Sequence, residues 1–275
     1  MGGFFMKKML RQAGYLIVII MLLPYVVTIF VNGNGILKIQ EAGNPYLVVK
    51  REGEMKEMTL DEYGIGVLAK EIDADAMIEA LKAQAVLIRT SIYKTLQEEG
   101  TNTVLEKSYW TRSQMQHNWG SANYSQNYSK LKEAWDETKG IVLFYEGKLA
   151  LTPYHKLNNG KTRSGNEVFH SGSYAYLQVK ECPGDLEEKS AVTTTIIQET
   201  GLEILELDSA GYVTKVKCGS EEVNGEEFRS TYHLASASFT LEDFEGNTKV
   251  TTKGVGHGIG MSQHTAKLMA KEGKN

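Results

Sequence analysis

Glu71 closes a run in which Ile65, Leu68 and Ile72 recur at helical spacing, so it falls at the end of a short helix. The C-terminus of a helix carries partial negative charge, which favours the protonated form of a carboxyl group placed there. A protonated carboxyl is what a general acid requires. Arg89 lies in a largely apolar run, 83–92, whose other polar residues are Gln84, Thr90 and Ser91. It is either a snorkelling side chain or a partner for an anion. Far along the chain, residues 254–263 read GVGHGIGMSQ, with glycines on both sides of His257 and then Ser262 and Gln263. No G-K-[ST] ending and no βαβ context accompany these glycines, which excludes a nucleotide-phosphate loop. They permit positive φ and close backbone approach around His257. Met261 and the AKLMA that follows begin a helix, whose N-terminal N–H groups are able to hold polar ligand groups, with Ser262 as an alternative cap.

These groups need elements to position them. Thr59 and Glu62 form a capping box, so the first helix starts at Thr59. Asp73 or Asp75 is expected to cap a second helix with the apolar stripe Ile78, Leu81, Ala85, Ile88, Ile92 and Leu96. Short strands are expected at 37–39 and 46–49. The polar stretch 97–128 reads as an irregular excursion whose Tyr109, Trp110, Trp119, Tyr124 and Tyr128 serve packing rather than sugar stacking. A third helix is predicted over 129–138, ended by Gly140, and then a β-hairpin turning at Glu146-Gly147. The hairpin delivers Tyr154 and His155 to a polar, Gly-containing loop that includes Thr162, suited to a ligand-facing wall. Residues 190–240 alternate as strands, with a turn at 209–211 and a short turn or helix at 226–229.

The segment LDEYGIGVLAKEIDADAMIEALKAQAVLIRTSIYK resembles the signature region of the stage II sporulation protein D family, through Leu60, Tyr63, Gly66, Val67 and Glu71, then residues 80–86, Arg89 and Thr90. GVGHGIGMSQ is similar to that family's second hallmark, and the resemblance covers roughly residues 45–275. It implies a lytic transglycosylase acting on peptidoglycan glycan strands stripped of stem peptides, in a sporulation setting with a cell-wall amidase and a membrane partner. Glu71 is then the catalytic acid and base. Arg89 is its electrostatic neighbour or substrate clamp. Tyr154, His155, Thr162, His257, Ser262 and Gln263 are substrate contacts. The alternative it leaves open is a non-catalytic, glycan-binding modifier of an amidase; a zinc-dependent hydrolase is weaker. Some members carry a Cys in the loop after the hairpin, and metal binding is associated with parts of the family. Asn158 and Asn159 stand at those positions here, and His155, His170 and Cys182 match no compact zinc pattern, so no metal or other cofactor is expected. Members usually continue beyond this C-terminus, so the sequence is either a fragment or a domain that closes without the tail.

The expected fold is α+β: a helical pair packed on an antiparallel β-sheet, with a smaller β-rich subdomain at 190–240 and one transmembrane helix in front. Residues 1–32 are read as cytoplasmic tip and anchor, 33–58 as linker and first strands, and 59–275 as the catalytic domain. Lys7, Lys8 and Arg11 precede the uncharged run 15–31, which predicts an uncleaved, single-pass anchor with the N-terminus inside and the remainder extracytoplasmic. A net charge of −4 over 275 residues gives no case for nucleic-acid binding. Cys182 and Cys218 are the chain's two cysteines and make no disulfide framework; free thiols are expected.

Overall fold

The computed structural model describes residues 35–38 and 45–275. The predicted membrane anchor lies outside these residues, and among them no helix is long and apolar enough to cross a membrane. The chain runs through β1 (Gly35–Lys38), β2 (Tyr46–Arg51) and β3 (Glu54–Thr59) into α1 (Leu60–Glu71). Thr59 is the N-cap of α1, its hydroxyl accepting from the Glu62 amide at 3.3 Å, as the capping box predicts. α2 (Ile78–Glu99) starts after Met77 with no side-chain cap. The aspartates expected there do other work: Asp73 pairs with Lys267 across the fold. β4 (Val104–Leu105) leads to α3 (Arg112–Glu137), which replaces the excursion and short helix expected from the sequence. A full capping box between Thr111 and Gln114 nucleates α3. Gly120, at φ 74°, interrupts it and hides its periodicity.

β5 (Ile141–Tyr145) and β6 (Lys148–Leu149) form the expected hairpin, with Glu146 and Gly147 both at positive φ. β7 (Tyr154–His155) and α4 (Gly165–Phe169) follow, then β8 (Val192–Ile197), β9 (Leu202–Leu207), β10 (Val213–Cys218), β11 (Glu221–Asn224), α5 (Gly225–Thr231), β12 (Phe239–Phe244), β13 (Asn247–Lys253), β14 (Met261–Ser262) and α6 (Gln263–Lys271). The architecture is α+β, but the helical pair does not lie on one antiparallel sheet. α1 and α2 pack on each other and on α3, and α2 also meets β5 and α6. The sheets around them are small: β3-β2-β4 with a parallel β2–β4 pair, and β1-β5-β6.

The largest apolar cluster joins Val49, Tyr63, Leu68, Leu81, Ile88 and Trp135. The aromatics of the 109–128 region pack against it, Tyr109 fully and Trp110, Trp119, Tyr124 and Tyr128 in part. A separate cluster around Val213, Val216, Phe228 and Phe239 is enclosed by the sheets β12-β13-β8 and β11-β10-β9. Cys182 and Cys218 are free thiols.

Candidate active site

The two motifs meet through backbone and amide groups. Gln263, the first residue of α6, donates its side-chain amide to the Glu71 carbonyl at 2.8 Å and to Gln84 Oε1 at 3.1 Å. One carbonyl left over at the end of α1 is thereby satisfied by the C-terminal motif. Glu71 lines a polar cleft of about 500 Å³, together with Lys70, Lys156, Glu188 and His264. Tyr154 and Lys107, which do not line this cleft, also interact electrostatically with Glu71. Tyr154 has its hydroxyl buried with no hydrogen-bond partner among the described residues. Burial pushes that phenol well above its ordinary pKa, and the charge of the Glu71 carboxylate raises it further. Lys107 lays its Nζ 4.5 Å from the centroid of the Tyr154 ring. As a residue Lys107 is exposed. Its ammonium group nevertheless sits in the crowded part of the site, where burial pulls its pKa down and Glu71 draws it back up.

β14 pairs in parallel with β7, placing the glycine loop beside Tyr154 and His155. The loop's glycines sit at positive φ as expected, and Gly258 shows why no other residue serves: at φ 76°, a Cβ there would lie 2.4 Å from the Tyr212 hydroxyl. We expect Gly258→Ala to cost about 1–3 kcal/mol through overpacking and strain, read as a lowered urea midpoint.

His155 is 4% exposed. Its Nδ1 contacts the Ile259 carbonyl at 3.1 Å, and Nε2 lies 3.3 Å from the Asn158 amide nitrogen. The neutral Nδ1–H tautomer satisfies both contacts, donating to Ile259 and accepting from Asn158. Burial pushes the imidazole down to about 4, so it holds the loop as a neutral group and has no proton to give near neutrality. The His257 ring lies 5.7 Å away, edge to face. Its Nδ1 accepts from the Ile259 amide, and burial lowers its pKa as well.

A stability consequence follows from His155. Between the ordinary histidine value of about 6.5 and the folded value of about 4, the unfolded chain takes up a proton that the folded chain refuses. This contribution is constant above that window and is lost as pH falls through it, at up to about 1.4 kcal/mol per pH unit. The difference between wild type and His155→Asn in urea unfolding, measured from pH 7 to 4, should shrink accordingly.

The structure moves several expected substrate contacts off the cleft. Arg89 is fully buried, and its guanidinium caps the end of α3 rather than clamping a ligand. It donates to the Thr138 carbonyl at 2.7 Å, the Thr138 hydroxyl at 2.9 Å and the Trp135 carbonyl at 2.7 Å. It also stacks over the Trp135 ring at 4.0 Å. A cation at a helix C-terminus answers the same dipole that acts on Glu71. Thr162 is buried and staples its own loop, donating to the Gln178 carbonyl and accepting from the Lys180 amide, both at 2.8 Å. Ser262 is the N-cap of α6 and donates to the Asp185 carboxylate at 2.7 Å. Fully buried Asp185 also accepts from Asn158 N and the Thr265 hydroxyl, so the N-terminus of α6 is occupied by the protein's own anion rather than left for a ligand. Thr162 and Ser262 both line a different cleft, of about 420 Å³.

Two residues that sequence reasoning passed over matter here: Lys107, and Arg163. Arg163 is buried, pairs with Asp208 at 2.6 Å and Glu226 at 2.5 Å, and bonds the Gly258 carbonyl through its amide and the His257 carbonyl through its guanidinium. It anchors the glycine loop to the second core. Neither residue lies in a periodic or motif context that would have marked it. Among the described residues no group of three His, Cys, Asp or Glu side chains is placed to hold a metal ion, so His155, His170 and Cys182 do not fit a zinc site.

The site is thus one helix-terminal glutamate, tied through its backbone carbonyl to the glycine-loop motif and set on a polar cleft. The family model described as Stage II sporulation protein matches residues 49–145. Stage II sporulation protein D of Bacillus amyloliquefaciens is 30% identical over 246 residues, spanning 80% of this chain and 71% of that protein. Its counterpart in Bacillus subtilis is 28% identical over 245 residues, with the same coverage. An amidase enhancer of Bacillus subtilis is 33% identical over 144 residues, 52% of this chain and 18% of that much longer protein. The chain belongs to the stage II sporulation protein D family.

Proposed function

We propose that the protein is a lytic transglycosylase that cleaves peptidoglycan glycan strands during sporulation and leaves 1,6-anhydro-N-acetylmuramic acid ends. The observation that carries this reading is the convergence of both family motifs on one residue, Glu71, at the edge of a polar cleft. Hydrolytic glycosidases set two carboxyl groups across the sugar. A transglycosylase needs one. The Glu71 carboxylic acid gives its proton to the glycosidic oxygen as the bond to C1 of the muramic residue breaks. The resulting carboxylate takes the proton of the same sugar's C6 hydroxyl, whose oxygen closes on C1. No water is consumed, and Glu71 ends protonated for the next turn. Tyr154 has a spare hydroxyl beside that carboxyl, able to donate to it once it is ionised or to the sugar. Residues 13–31 anchor the chain in the cell membrane with the catalytic domain outside, where an amidase supplies the strands.

A second reading has its own support in the amidase enhancer relative: a glycan-binding modifier of a cell-wall amidase, with no chemistry of its own. Incubating the full chain with glycan strands, free of any amidase, and weighing the products separates the two. Anhydro ends, one water lighter than hydrolytic ends, support the transglycosylase. Hydrated ends point to a hydrolase, and intact but bound strands to the modifier.

A further inference from the structure

β8 is the outer strand of the sheet β12-β13-β8, and among the described residues it pairs with β13 alone. The carbonyls of Ala191, Thr193 and Glu199 are all engaged on the β13 side, accepting from the Gly254 amide and from the hydroxyls of Thr252 and Thr248. Backbone groups alternate along a strand, so Val192, Thr194 and Ile196 turn their N–H and C=O groups to the free edge. Ile197 points its side chain into the second core, which leaves the side chains of these three residues on the outer face. All three are exposed, Val192 by 51% and Ile196 by 53%. Such an edge is usually guarded by a charge, a proline or a bulge. Here residues 190–198 read SAVTTTIIQ, with no charge and no proline, and the β8–β13 register runs without a shift.

A strand of this composition matches itself. In an antiparallel pairing with a second copy, about a twofold axis through Thr194, each Val192 falls opposite the partner's Ile196, an apolar pair on the exposed face. Thr194 meets the partner's Thr194, and all three residues exchange N–H and C=O bonds across the edge. Lys189 and Glu199, both exposed and equidistant from Thr194 in the chain, are brought towards each other with opposite signs. Sliding the pairing by two residues sets Val192 against Thr194 or Gln198, and in one direction turns Glu199 towards Glu187. Apolar matching and charge therefore select one register. We propose that the protein self-associates as a twofold dimer through β8, joining the two β12-β13-β8 sheets edge to edge. Glu188 and Ser190 line the Glu71 cleft, so this contact sets the partner's 198–201 connection at the rim of that cleft. The pairing does not depend on the chemistry assigned to Glu71.

The test uses the full chain in detergent micelles. Sedimentation should show a concentration-dependent dimer. Ile196→Lys, at an exposed site where the urea midpoint should hold, should raise the dimer dissociation constant by about 10-fold or more. Lys189→Glu should weaken the dimer as well, and adding Glu199→Lys to it should restore the wild-type constant. Thr194→Cys should cross-link to its own copy under mild oxidation, because opposed Cα atoms in such a pair lie about 5.5 Å apart, within disulfide reach. Thr240→Cys, exposed on β12, and the unsubstituted chain should not cross-link. A chain that stays monomeric at every concentration overturns the proposal. So does a dimer that Ile196→Lys leaves intact, the result expected if residues 1–34 alone drive association. Cross-linking of Thr240→Cys equal to that of Thr194→Cys overturns it too.

Discussion

Glu71→Gln should abolish release of anhydro ends, lowering turnover by about 10²- to 10⁴-fold, the range general acid–base groups contribute. The amide keeps the shape of the side chain but can neither protonate the glycosidic oxygen nor take the proton from the C6 hydroxyl. Its effect on folding should be small, within about 0.5 kcal/mol, because the tie to the C-terminal motif runs through the Glu71 backbone carbonyl rather than its carboxyl. Turnover read by product mass, together with a urea curve for the same variant, checks both halves. Anhydro ends released at the wild-type rate would remove Glu71 from the chemistry. A variant that binds strands yet leaves them uncut, beside an active wild type, is the expected pattern.

Arg163→Met should be the most destabilising substitution near the site, by about 3–5 kcal/mol, the cost of breaking a buried ion pair from one side. Asp208, whose side chain is 3% exposed, would be left as a buried anion without its cation. The partner test is the double variant Arg163→Met, Asp208→Asn. Removing the stranded charge should recover part of the loss, and the coupling should be evident in a double-mutant cycle of urea midpoints. Simple additivity would mean the pair contributes little. Because Arg163 also holds the Gly258 and His257 carbonyls, the single variant should loosen the glycine loop and lower activity before it unfolds.

Much of this site was legible in local spacing. The Thr59 cap, the apolar face of the first helix and the terminal position of Glu71 are short-range features, encoded within a few residues of one another. The hairpin at Glu146-Gly147 and the positive φ of the glycine loop are equally local, since both are conformations that residue type selects. The long helix Arg112–Glu137 was missed because its surface is polar and Gly120 breaks its phase, so no sustained stripe announces it.

The roles of the polar side chains were not legible in this way. Arg89, Thr162 and Ser262 have the chemistry of ligand contacts, and nothing in their neighbourhoods distinguishes a ligand from a carbonyl. Each was claimed by a backbone group or carboxylate brought close by folding, because a buried polar group must find a partner and takes the one the packing supplies. Lys107 and Arg163 show the reverse: ordinary residues in the sequence, given importance by contacts to α1 and to Asp208. By itself, then, the sequence determined the family, the helix-terminal position of Glu71 and the local conformations around it, since these depend on residue type and near neighbours. Which distant residues meet Glu71, and which charges are consumed inside the fold, only the tertiary structure decided, because long-range partners are set by how distant elements pack.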